Sequence, residues 1–208
     1  MKINLKTQNL PFIGIYAIFN IAILLTILKN ATFSIDVFQV YFSDLQAKDG
    51  IYVSLLSLLI ILVGGMFSNK FKEIIVFWRL NHRLPGCFAF SKFMHEDKRI
   101  DIKVLKQKYG KLPKNNDKEN KLWYQIYKSM NDKTIDKTHK DSLLCRELSV
   151  MSILMFIFPI VIYFIHNAVA LSVYYFIFLV LEYLIVRYCA KHSAERLVVN
   201  VLALASIK

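Results

Sequence analysis

Apolar and polar positions sort the chain into four long apolar runs, with one polar stretch between the second and the third. The runs extend from about Leu10 to Leu28, Ile51 to Phe67, Leu148 to Ile165 and Ala168 to Val186. A bilayer core about 30 Å thick is crossed by roughly 20 apolar helical residues, so each run is read as a transmembrane helix. Pro11 lies at the start of the first, where a missing N–H costs little. Pro159 lies inside the third and predicts a kink there. His166 and Asn167 alone separate the last two runs, which predicts a tight helical hairpin. The first run is expected to be retained rather than cleaved, because a second run follows closely and no small-residue cleavage site accompanies it.

The polar stretch, 69–147, carries helical periodicity. From Lys70 to Arg83 the bases are interleaved with Ile74, Ile75, Phe77, Trp78 and Leu80. This predicts that the second span's helix continues outward until Leu84, Pro85 and Gly86 end it. Asp101 is placed to cap a helix bearing Ile102, Val104, Leu105 and Tyr109, which Gly110 closes before Pro113. Asp117 is read as beginning another, whose Leu122, Trp123, Ile126, Tyr127 and Met130 share one face. The stretch Asp132–Asp141 then leads back to the third run. No strand alternation or repeat competes, so the expected fold class is an all-α integral membrane protein with a small helical cytoplasmic module. The expected units are a first transmembrane hairpin (1–68), the module (69–147), a second hairpin (148–188) and a C-terminal helix (189–208). In that last segment Leu197, Val198, Val199, Val201, Leu202 and Leu204 cover nearly a whole helix circumference over a length too short to span. They must be buried against something.

Composition agrees with this layout, and charge orients it. A hydrophobic content of 56% and mean hydropathy of +0.41 over 208 residues exceed what a soluble domain carries. Residues 69–148 hold 19 Lys and Arg against 10 Asp and Glu, whereas 29–50 holds two Lys against Asp36, Asp44 and Asp49. Basic residues near span ends stay on the cytoplasmic side, so the module is expected on the cytoplasmic face of the membrane. Both basic ends, with Lys2 and Lys6 at one and Arg187, Lys191, Arg196 and Lys208 at the other, then lie on that side too. In the outer loop Phe33, Phe38, Tyr41 and Phe42 stand beside Asp36 and Asp44, an aromatic belt that sets span depth or a short interfacial sensing helix. Asn30, Ala31 and Thr32 form a glycosylation sequon.

The basic surplus next to an anionic inner leaflet points first to lipid headgroups, then to a cytosolic protein partner. Direct nucleic-acid binding is disfavoured: no recognition motif accompanies the charge, and Lys outnumbers Arg 21 to 6. Arg79, Arg83, Trp123 and Tyr127 are the candidate partner or lipid contacts. Ser57, Ile61, Gly64 and Ser68 form a stripe on the second span at which another helix can approach closely, either within the chain or in a homo-oligomer.

Candidate chemistry is sparse. His95, Glu96, Asp97 and Asp101 cluster, and Cys189 and His192 have a ligand-like spacing. Neither set closes a coordination shell, so no metal is expected. No phosphate loop or nucleophile elbow is present, and no cofactor or catalytic residue is expected. Cys87, Cys145 and Cys189 are expected to be reduced, with acylation open to the last two. Glu182 is an ionisable group inside the fourth span and should not face lipid. It is expected to pair with Arg187, Arg146 or a base of a neighbouring subunit, the alternative being an ion path or proton-sensitive switch.

The segments Arg79–Ser91, RLNHRLPGCFAFS, and Asn120–Tyr127, NKLWYQIY, resemble parts of small multi-pass proteins of bacterial anti-phage defence loci. The size, span number and basic inner loop are similar to those of the Kiwa membrane subunit. The resemblance implies a homo-oligomeric membrane component that responds to phage-induced membrane disturbance and works with a cytosolic partner acting on phage DNA. The expected function is a non-enzymatic sensor or effector subunit. A ligand-gated channel is the alternative, and a lipid-modifying enzyme using His95, Asp97 and Asp101 is a third class.

Overall fold

A computed structural model describes residues 7–31 and 47–207. The outer-loop aromatics and Thr32 of the sequon lie outside these residues. Among the described residues eight principal helices follow in order: α1 (Leu10–Asn30), α2 (Ala47–Met66), α3 (Asn69–Phe77), α4 (Ile102–Tyr109), α5 (Asn116–Ser129), α6 (Lys133–Leu154), α7 (Phe158–His166) and α8 (Val169–Ile207). Short 3-10, π and α turns over residues 85–96 bridge the interval between α3 and α4. There is no strand among the described residues. Four helical stretches are long and apolar enough to cross a membrane: α1, α2, α6 with α7, and α8. The chain is an all-α, multi-pass membrane protein.

Inside the apolar layer α1 carries the central stripe. Ile13, Ala17, Ile21, Leu24 and Ile27 are buried at spacings of three and four against Val53 and Ile60 of α2, Met151 of α6, Ile162 of α7 and Tyr175 of α8. Pro159 breaks the third span: α6 ends at Leu154, one 3-10 turn follows, and α7 restarts at Phe158. The break is tied across the hairpin by the Ser172 hydroxyl, which donates to the Pro159 carbonyl. Asn167 then takes a left-handed conformation (φ 48°), which makes the two-residue turn between α7 and α8 possible.

Three expectations are corrected. The second span does not continue as one helix to Arg83. Ser68 adopts extended backbone and caps a new helix through the Phe71 N–H, and α3 ends at Phe77 because Trp78 is left-handed (φ 52°). Leu84, Pro85 and Gly86 instead open the irregular turns. The polar 132–141 stretch leads back to the third run as helix, since Asp132 caps α6 and that helix enters the apolar layer without interruption. There is no separate C-terminal helix from 189. α8 runs unbroken for 39 residues, about 58 Å at 1.5 Å per residue and roughly twice a bilayer core. Asp101 caps α4 through the Lys103 and Val104 N–H groups. The cap of α5 is Asn115, two residues before Asp117.

The upper half of α8 is the core of the polar module. Leu197, Val198, Val201, Leu202 and Ala205 pack with Phe90, Phe93, Leu105, Trp123, Ile126 and Ile135. Thus the apolar tail finds its burial within its own chain. A smaller cluster of Ile75, Val150 and Tyr183 joins this core to the membrane layer.

At that joint the Lys72 ammonium, 1% exposed, is ion-paired to Glu147, which also accepts from Arg146 at 3.1 Å. Removing one member of a buried pair leaves the other uncompensated, at a cost of about 3–5 kcal/mol. Lys72→Met should therefore lower the thermal midpoint by several degrees in nanodiscs while leaving helix content by circular dichroism intact. An unchanged midpoint would show that the pair contributes nothing to holding α3 on α6.

Candidate functional site

The functional candidates gather where the polar module meets the spans. Three devices fix that joint. The Trp78 indole N–H donates to the Tyr183 hydroxyl at 2.9 Å, and that hydroxyl donates to the Ile75 carbonyl at 2.7 Å. The Arg187 guanidinium stacks over the Trp78 ring at 3.5 Å, within cation–π range. The left-handed backbone at Trp78 turns its ring onto α8. Together these contacts clasp the end of α3 to the point at which α8 leaves the apolar layer.

Glu182 and Arg187 are not partners. Five residues separate them by about 140° around the helix, so one faces α1 while the other faces α3. Glu182 accepts from the Asn20 side-chain N–H at 2.9 Å. The expected pairing with Arg187 or Arg146 is thus replaced by a neutral partner on the first span, and Arg146 is engaged with Glu147. One turn before Asn20, the Tyr16 and Ser152 hydroxyls lie 2.5 Å apart. Glu182 does not face lipid; its carboxylate holds α8 to α1. Asn20 and Tyr16 went unread because a lone Asn or Tyr in an apolar run gives no signal of its partner.

The small-residue stripe is divided among different tasks. A side chain at Gly64 would meet Leu154 and Met151 at 3.8–3.9 Å, so this face of α2 lies on α6. Ser57 is buried, and Ser68 serves as the cap of α3. Close approach at Gly64 is therefore made within the chain, and with the tail also engaged, neither feature points to a second subunit.

Arg79, Arg83, Trp123 and Tyr127 do not make one open surface. Arg79 lies over the Phe88 ring at 4.7 Å. Arg83 is paired with Glu73 at 3.1 Å and donates to the Leu80 carbonyl. Trp123 is buried and stacked on Tyr127 (5.7 Å, 11° between planes), and the Tyr127 hydroxyl bonds His139 Nδ1 at 2.7 Å. Trp123 and Tyr127 also line a cavity of about 200 Å³ between α3, α5, α6 and α8.

The two segments that carry the family resemblance meet in space. A side chain on Gly86 would stand 2.8 Å from the Trp123 ring, so only glycine allows the approach. Asn116 donates to the Cys87 carbonyl at 3.0 Å. Glu119, fully buried, accepts from the Phe90 and Ser91 N–H groups at 2.8 and 3.0 Å and anchors the irregular turns. It too went unread, since a Glu inside a charged helix resembles any solvated acid. Compared with known proteins, the chain matches no family model, no curated protein and no solved structure.

The clustered acids Glu96, Asp97 and Asp101 are engaged separately. Asp97 is chelated by Arg99, which holds its carboxyl below the usual range; Glu96 pairs with Lys92 at 3.6 Å, and Asp101 is the α4 cap. Cys145 is half-buried, and burial pushes its thiol upward, away from thiolate reactivity.

His139 is the titratable group best placed to report on this joint. Burial first, and then the Arg146 charge, lowers its pKa below the ordinary value near 6.5. The folded chain holds it neutral while the unfolded chain takes up a proton, so its contribution is intact above about pH 6.5 and lost as pH falls from there through the folded value. A melting-temperature profile should decline as the pH falls below about 6.5, and His139→Gln should flatten that decline. An unaltered profile in the variant would place the titration elsewhere.

Proposed function

We propose that the chain is a non-enzymatic membrane sensor or effector subunit that transmits a change at the bilayer to a soluble protein docked on its polar module. The observation that carries this reading is the unbroken α8, whose lower half packs on α1 and α7 and whose upper half is the module's core. Tilt or rotation of such a rod within lipid moves the module without an intervening hinge. The continuity of α6 from the module into the third span supports the same reading.

The basic surplus in 69–148 supports a cytoplasmic placement of the module and both termini, and the resemblance supports a bacterial inner membrane. The same surplus favours contact with anionic lipid. For the protein partner, the best-suited surface is an open groove with Phe90, Met94 and Leu112 beside Lys106, Lys111 and Lys114. None of these three lysines has an acidic partner among the described residues. An acidic segment with an apolar anchor fits that chemistry. Assignment to anti-phage defence rests on the Arg79–Ser91 and Asn120–Tyr127 segments, which act as one packed unit. Association of several copies would use the exposed outward face of α2, with Leu55, Leu58 and Leu62, because Gly64 and the tail are engaged within the chain.

Two measurements test this. Cross-linked purification of the tagged chain from its own cells should recover a cytosolic protein, and the triple reversal Lys106→Glu, Lys111→Glu and Lys114→Glu should lose it while the melting temperature holds. Equal recovery by the reversed groove would overturn the docking surface. Cysteine introduced at Lys121 should resist membrane-impermeant labelling in intact cells. Rapid labelling from outside would invert the topology.

A further inference from the structure

The cavity under the spans has a polar side and an apolar side. His139, Ser142 and Arg146 line it from one face of α6, at spacings of three and four. Opposite them stand Ala190 and Ala194 of α8, one turn apart, whose small side chains leave the space open. Trp123 and Tyr127 form the aromatic wall. At about 200 Å³ the volume exceeds the 150 Å³ or so of an apolar protein cavity known to take benzene.

Around the polar side the cations outnumber the carboxylates by one. Lys72 and Arg146 share the single Glu147 carboxylate, and Glu73, also on the lining, is taken by Arg83. Arg146 Nε is buried without a hydrogen-bond partner among the described residues, and Ser142 lies one turn away on the same lining. His139, held neutral, adds no charge near pH 7. One surplus positive charge matches one carboxylate and not the nearly two negative charges of a phosphate monoester.

We propose that this cavity binds a small apolar monocarboxylate, a ring or short acyl chain with a single anionic head. The body lies between Trp123 and the alanine face of α8, and the carboxylate meets Arg146 and Ser142. Because the walls come from α3, α5, α6 and α8 together, an occupant there stiffens the joint between spans and module. The inference goes beyond partner docking and is read on the chain alone. Absence of ligand binding leaves the docking reading standing, and failure of the charge-reversal test leaves the cavity standing.

The test uses the full chain in zwitterionic nanodiscs with radiolabelled 3-phenylpropanoate. Binding should saturate, and octanoate should compete while 3-phenylpropanamide should not. Arg146→Gln should weaken binding about tenfold or more, the scale of a lost charge-assisted hydrogen bond. Ala194→Leu, which fills the space, should abolish binding while the melting temperature holds or rises. If that variant fails to fold, Ala190→Val supplies the same reading. Non-saturating uptake by the folded wild type, equal competition by the amide, or full binding by the filled variant would each overturn the proposal.

Discussion

A single helix has to satisfy two environments at once, and the rest of the structure follows from how it does so. α8 buries Leu171, Tyr175 and Leu179 against other spans, and then Leu197, Val201 and Ala205 within a water-facing module. The buried face continues from one environment to the next because its positions recur near whole turns, four apart from Leu171 to Tyr183 and seven apart through Ala190 to Leu197. Lipid requires every backbone group in the lower half to be bonded internally, which a continuous helix does without help from side chains. The upper half is then already formed, and the module needs only to wrap apolar faces around it.

The clasp at Trp78 and the Lys72–Glu147 pair solve the problem this arrangement creates. The chain leaves the second span some distance from α8 and must be brought back to it. Ser68 breaks the helix, α3 redirects the chain, and the left-handed Trp78 stops it where the indole meets Tyr183 and Arg187. Polar contacts serve better than apolar ones here because the site lies where lipid gives way to water. Trp, Tyr and Arg each offer an apolar body with a polar tip suited to that boundary.

Much of this was legible in the sequence. Run length gave the four spans, and Asp101, Gly110, Pro159 and the pair His166–Asn167 marked helix ends through local chemistry that needs no tertiary partner. What escaped was continuity and pairing. The sequence suggests a separate helix over 189–208 because polar residues around Arg187–Lys191 follow the apolar run. Those residues merely cross the boundary between two solvents on an unbroken backbone. Likewise Glu182 suggested a basic partner, whereas burial selected Asn20, a residue with nothing in its own surroundings to announce the role. The candidate contacts Trp123 and Tyr127 were found by their face of α5, but periodicity tells which side is buried and not whether a void lies beneath it.

The sharing of α8 also sets an order of events during synthesis. Residues of α4 and α5 leave the ribosome well before Leu197 to Ala205, so the greasy side of the module has no lid when it first appears. From Met130 to Ala205 is roughly 75 residues, or about 4–15 s of translation. Throughout that interval Phe90, Phe93 and Leu105 lack their final covering, and two further spans must enter the bilayer before it arrives. Biogenesis of this protein is therefore a task of shielding a half-built core beside a membrane.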